Sequence, residues 1–196
     1  MKIIYQDVET GGLDPAKSSL LQLSGIVEID GKVEETFNFF PFPIAGDEPI
    51  ENEAILIHGL DPNAFPDSFE NPESVYNKYI NLLDKYINKY DSKDKFYFVG
   101  YNCNHFDSPF IRYFLLKNHN QYYGSYFWTP TIDLFILYGY ASMGQRAIFK
   151  DFKLSTVAEA LGVQIDRTKA HDALYDCYIT RDLFLEYIKE YPIYHA

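Results

Sequence analysis

Five side chains in this sequence have the types and spacing to hold divalent cations and move a proton: Asp7, Glu9, Asp107, His171 and Asp176. Asp7 and Glu9 lie two apart at the end of an apolar run, and the two-residue period of a strand turns both carboxylates to one face. Two acids pointing one way repel unless a cation sits between them, although as an isolated pair they also read as solvated acids at a strand end. Thr10-Gly11-Gly12-Leu13 then turns the chain, and glycines there let backbone N–H groups come close to a ligand. Asp107 ends a polar stretch running from Tyr101 and precedes Pro109, a placement that caps a helix without preventing the carboxylate from binding metal. His171 and Asp176 are five apart, so on one helix they would diverge by ~140°. A shared target requires His171 in a loop and Asp176 one turn into the helix.

Around these residues the chain must fold into elements that bring them together. Residues 2 to 8, 19 to 29 and 33 to 40 read as three strands, with Asp30-Gly31 turning the second into the third, which implies an antiparallel meander. Five prolines between 41 and 66 mark a loop-rich segment. Asn71-Pro72 then opens a helix carried by Val75, Tyr79, Leu82, Leu83, Tyr86, Ile87 and Tyr90 at helical spacing. Residues 96 to 100 form a fourth strand, and helices are expected at 109 to 117, 130 to 141, 155 to 161 with Gly162 as its stop, and 172 to 190. No repeat or low-complexity tract interrupts this order. It predicts one α/β domain over residues 1–196 with a mixed sheet.

Three ordered motifs carry a resemblance. They are Asp7-Val8-Glu9-Thr10-Gly11-Gly12, Tyr101-Asn102-Cys103-Asn104-His105-Phe106-Asp107, and His171-Asp172-Ala173-Leu174-Tyr175-Asp176. Secondary echoes occur at Ile57-His58-Gly59-Leu60, Thr131-Ile132-Asp133-Leu134 and residues 153 to 162. Over about residues 2 to 188 the sequence resembles the DEDDh exonucleases of the DnaQ-like family, in the ribonuclease H-like superfamily.

The resemblance implies a mixed five-stranded sheet, three strands antiparallel and then parallel ones, flanked by helices. It also implies 3′→5′ hydrolysis assisted by two Mg²⁺ or Mn²⁺ ions, the choice that oxygen donors favour. Asp7 would bridge both ions, Glu9 and Asp176 would complete one site and Asp107 would support the other. His171 would be the general base, a role suited to an imidazole near neutral pH. Thr10, Gly11, Gly12, Leu13, His58, Tyr101 and Asn102 would hold the terminal nucleotide. Two departures stand out: Tyr101 replaces a His that many members carry, and Gly12 follows Gly11 where several have Thr-Gly. The sequence stops at Ala196 without the long extension of a polymerase-tethered subunit, so the expectation is a stand-alone nuclease with no polymerase partner indicated.

The expected substrate is single-stranded or frayed DNA at its 3′ end. RNA trimming is the alternative, because the same metal chemistry cuts both and discrimination rests on the 2′-OH. A noncatalytic nucleic-acid-binding module is a third reading, which complete retention of all five residues argues against.

The 196 residues are 47% hydrophobic and 18% aromatic, enough apolar surface to exclude a disordered chain. A net charge of −11 excludes broad electrostatic adhesion to nucleic acid or an anionic membrane. Cys103 and Cys177 form no CxxC pair and no signal-like segment opens the chain, so reduced thiols and a cytoplasmic location are expected. From 141 to 171 the basic residues Arg146, Lys150, Lys153, Arg167 and Lys169 outnumber three acids, making this stretch the expected side of approach for the strand.

So few basic residues predict weak salt dependence. Neutralising two or three phosphates gives a log–log slope near about −2 for single-strand affinity. A salt series of Kd for a catalytically dead variant in Ca²⁺ checks this, and a slope steeper than about −4 would reveal an extended basic track.

Overall fold

In the computed structural model, which describes residues 1–191, the chain opens with β1 (Lys2–Thr10), β2 (Leu20–Ile29) and β3 (Lys32–Pro41) as an antiparallel meander. Asp30 and Gly31 both have positive φ, 50° and 82°, the conformation that a two-residue hairpin between right-twisted strands needs. There follow α1 (Asn52–His58), β4 (Phe69–Glu70), α2 (Pro72–Tyr86), β5 (Tyr97–Gly100), α3 (Asp107–Lys117) and α4 (Tyr123–Tyr126). β6 (Ile132–Asp133), α5 (Leu134–Ala141), α6 (Leu154–Ala160) and α7 (Ala173–Glu190) complete the elements used below.

β5 pairs parallel to β1, and β6 parallel to β5, so the sheet runs β4-β3-β2-β1-β5-β6. This is the expected mixed sheet of three antiparallel strands followed by parallel ones, with a sixth, two-residue strand added. β4 pairs parallel to the end of β3 through Phe40↔Phe69 and Pro41↔Glu70, a contact too short to show alternation in sequence.

The sheet is buried on both faces. One face of β1 carries Ile4 and Val8 into a core with α2 and α3, including Tyr79, Leu83, Ile111 and Leu115. The other carries Ile3 and Tyr5 against α7 and its neighbours, including Leu134, Val157, Cys177 and Leu183. Asp7 and Glu9 extend the odd-numbered set, so the strand period points both carboxylates toward the α7 side, where Asp176 resides. Cys103 and Cys177 are both buried and unpaired, one in each core. No helix among the described residues is long and apolar enough to cross a membrane.

Several boundaries differ from the sequence expectation; α2 stops at Tyr86, where Ile87 turns extended at φ −120°, rather than running on to Tyr90. The helix expected from 130 begins only at Leu134, because Ile132–Asp133 joins the sheet and the Asp133 side chain caps the helix by accepting from the Phe135 N–H at 3.1 Å. α1 falls inside the proline-rich stretch that reads as loop. It buries none of its residues fully and ends on Gly59 at φ 74°, so no apolar stripe announces it.

Candidate active site

Asp7, Glu9, Asp107, Asp176 and His171 all line one cavity of about 540 Å³ at the end of β1. β1 supplies Asp7 and Glu9, and its register with β2 shifts between Glu9 and Thr10, so the strand leaves regular pairing where it meets the cavity. Asp107 opens α3 and is 2% exposed. Its Oδ1 accepts the Val8 N–H of β1 at 3.0 Å, which fixes it beside the strand that carries Asp7 and Glu9. Asp176 lies in the first turn of α7, while His171 stands two residues before the helix at φ 66°. That is the loop-then-helix split required for the two side chains to share a target.

The loop from 101 to 107 is held by a residue that the motif reading noted only in passing. Asp133 is 4% exposed, and its two oxygens accept the Asn102 N–H at 2.8 Å and the Asn104 N–H at 3.0 Å. Removing this carboxylate would orphan backbone donors at about 1–3 kcal/mol each. Asn102 takes φ 58°, so two cavity residues, Asn102 and His171, occupy the sparsely populated left-handed region that the surrounding structure must enforce.

The expected substrate contacts divide. Thr10, Gly12, Leu13, His58, Tyr101 and Asn102 line the cavity. A Cβ at Gly12 would stand 2.4 Å from Glu51 Oε1 and 2.7 Å from Ser18 Oγ, so a side chain there would have to push those two side-chain ends aside. Leu13 is 79% exposed at the rim. Gly11, expected to contact substrate, does not line the cavity, because its backbone is already used: its N–H donates to Ser19 O and its carbonyl accepts the Glu51 N–H, both at 2.8 Å. Gly11 instead ties the start of α1 to β1.

His58 fastens the other end of α1. Its Nδ1 accepts the Leu60 N–H at 3.0 Å, leaving the proton on Nε2 to be donated to Thr10 O at 3.1 Å. Burial holds its pKa below the ordinary imidazole value, helped by nearby His171, so this ring stays neutral. The Tyr101 hydroxyl donates to Phe152 O at 2.8 Å, so Tyr101 is a fixed wall of the site rather than a free phenol. Glu51, Glu53 and Ala54 also line the cavity and were not anticipated, as do Ile57 and Phe106, which the motifs contain without a role assigned to them. Gly59 was the available signal for α1, as a helix stop one residue past His58.

Concentrating these carboxylates has an electrostatic cost. Burial, then the charges of Asp107 and Asp176, push Asp7 well above the usual carboxylate range. Burial and Asp176 push Glu9 to about 9. Burial raises Asp107 to about 7 against opposing backbone hydrogen bonds, and burial with Asp172 raises Asp176 to about 7. Among the described residues no three His, Cys, Asp or Glu side chains stand close enough together to hold a metal ion as they are placed. The four carboxylates nonetheless share one cavity, against their mutual repulsion. A donor set made of carboxylate oxygen, with no thiolate, fits hard divalent cations such as Mg²⁺ or Mn²⁺, whose charge would offset theirs.

A family described as Exonuclease, RNase_T, matches residues 4–184. Ribonuclease T of Wigglesworthia glossinidia brevipalpis is 28% identical over 195 residues, covering 94% of this chain and 83% of that protein. Ribonuclease T of Buchnera aphidicola subsp. Baizongia pistaciae is 25% identical, covering 94% of this chain and 82% of its own. Among solved structures, the zinc-bound complex of Escherichia coli exonuclease I with single-stranded DNA superposes with a TM-score of 0.75 at 23% identity over 97% of this chain. A second exonuclease I structure gives 0.76 at 23% identity. This chain spans 41% of the exonuclease I chain in each, and the likeness is one of fold.

The raised carboxyls predict an unusual stability profile. Between the unfolded carboxylate range near about pH 4 and the raised values, the folded chain holds protons that the unfolded chain has released, so stability falls as pH rises. In EDTA, Tm at about pH 8 should lie at least roughly 2–4 °C below its value at about pH 5, the shift that 1 kcal/mol produces at this size. A flat or rising profile from thermal unfolding would contradict the crowding of these acids.

Proposed function

This chain belongs to the RNase_T exonuclease family, and on that premise we propose that it is a metal-dependent 3′→5′ exonuclease releasing nucleoside monophosphates from the 3′ ends of single-stranded or frayed DNA. The observation that carries the proposal is convergence: four acids, His171 and the residues suited to hold a terminal nucleotide line the same cavity. Its volume of about 540 Å³ is that of a small-ligand pocket, which suits an unpaired terminal nucleotide and not the end of a paired duplex.

Two bound divalent cations would supply an activated water and neutralise charge on the attacking and leaving oxygens. In this reading Asp7 would serve both cations, Glu9 and Asp176 would help hold one, and Asp107 would help hold the other. His171, exposed at the cavity edge on its left-handed turn, accepts the proton of the attacking water at a ring nitrogen. The nearby His171 backbone holds the Asp176 carboxyl down against the rise caused by burial, which couples the base to the acid beside it. Gly12 brings bare backbone to the nucleotide, and Leu13 offers an apolar edge to the terminal base. Glu51 and Glu53 at the mouth disfavour continued phosphate beyond the terminal nucleotide, consistent with attack at a free end.

RNA as substrate is the second reading. It is favoured by relatives named Ribonuclease T that match along 94% of this chain.

Labelled DNA and RNA oligomers with Mg²⁺ or EDTA test the proposal. Degradation should need a divalent cation and a free 3′-OH, and the faster of the two polymers identifies the substrate. Asp7→Ala should abolish turnover. His171→Ala should lose on the order of 10² to 10⁴ in rate while metal binding persists. Robust cutting of a closed circular strand, activity unchanged in EDTA, or a wild-type rate for His171→Ala would overturn it.

A further inference from the structure

A second groove, of about 520 Å³, opens on the far side of His58 and His171, and both histidines line it as well as the catalytic cavity. We propose that this groove seats the single strand 5′ of its terminal nucleotide, with bases stacking on Tyr178 and Phe40 and a phosphate held by Lys169. The inference rests on the exonuclease reading and adds to it the route by which the strand enters.

The continuity is physical, because a strand whose end lies in the catalytic cavity passes over His58 and His171 directly into this groove. The chemistry of its walls suits nucleotides. Tyr178 is 45% exposed on α7, two residues beyond Asp176, and Phe40 at the end of β3 is partly open. Base–aromatic stacking tolerates any base, which a nuclease acting on successive residues requires.

The groove is also preorganised. Gln22 at its floor is engaged at both amide atoms, donating to Asn38 Oδ1 at 2.9 Å and accepting the Ala173 N–H at 3.4 Å. The Tyr175 hydroxyl accepts the Asp166 N–H at 2.5 Å and so fixes the turn that carries Lys169.

Charge separates Lys169 from its neighbours. Arg167 is committed to Glu159 through two short contacts, 2.9 and 2.7 Å. Lys169 lies 3.8 Å from Asp166 and is 62% exposed, so it can turn to a phosphate at little loss. The acid that also lines the groove, Asp172, is occupied in capping α7 through the Tyr175 N–H at 2.9 Å. On a chain of net charge −11, a strand has few other paths that meet a cation.

The test compares two substrates, a ten-residue single strand and the p-nitrophenyl ester of thymidine 5′-monophosphate, which fills only the catalytic cavity. In Tyr178→Ala and in Lys169→Gln, KM for the decamer should rise on the order of tenfold with kcat kept, while hydrolysis of the ester stays at the wild-type rate. Tyr178→Phe, which keeps the stacking ring, should restore the decamer KM. A decamer KM within twofold of wild type in both Tyr178→Ala and Lys169→Gln would overturn the groove assignment, as would an equal loss on the ester. If the wild-type protein hydrolyses neither substrate, the exonuclease reading fails on its own. Decamer binding in Ca²⁺, followed by fluorescence anisotropy, then decides the groove: weakening by Tyr178→Ala supports it, and unchanged affinity overturns it. Self-association relieved by Tyr178→Ala, with decamer affinity unchanged, would assign the groove to a second copy of this chain and also overturn it.

Discussion

Four carboxylates share one partly closed cavity, and most of the surrounding structure can be understood as what keeps them there. Burial and the charges of neighbouring acids raise all four, so without a counter-charge the site is strained by its own acidity. The fold holds them against that strain by backbone. β1 is buried on both faces, and β2 pairs with it opposite Asp7 and Glu9, so these two cannot swing away without breaking that ladder. Asp107 is tied to the Val8 N–H, and the loop before it is tied to Asp133. Asp176 is carried by an eighteen-residue helix packed on β1 and β2, with Cys177 against the Ser24 carbonyl. Such preorganisation suits a site whose work is to place cations, because the reorganisation is made once, on folding, rather than at each turnover.

Much of this was legible in the sequence where a residue's type and its place in a periodic element agreed. The two-residue period of β1 placed Asp7 and Glu9 together, and the helical period ruled out a helical His171, which the left-handed turn at φ 66° bears out. The Asp30-Gly31 turn and the Asn71-Pro72 helix start likewise followed from local chemistry. What escaped was fixed by tertiary contacts. α1 has no fully buried residue and is held by its ends, through Glu51 to Gly11 and His58 to Thr10, neither of which leaves a periodic trace. Gly11 reads as a ligand contact, yet its backbone is spent on Ser19 and Glu51. Ile132–Asp133 reads as helix because sequence cannot show that two residues will pair with β5.

The acidity of the chain and its proposed nucleic-acid substrate are reconciled by the same constraint. Several surface cations are engaged by acids, including Lys2 with Asp94, Lys78 with Glu70, Lys85 with Glu35 and Arg167 with Glu159. On the proposed reading, attraction for a strand concentrates where cations would load the acidic cavity and where Lys169 stands beside it. Affinity built in this way is local and short-ranged, suited to gripping an end and poorly suited to gripping a long duplex.

Titration of Mn²⁺ into the metal-free protein, followed by calorimetry, tests the central claim most directly. The account predicts two ions per chain for the wild-type protein, with binding lost or sharply weakened by Asp7→Asn. Absence of binding to the wild-type protein, or two ions bound equally well after Asp7→Asn, would contradict it.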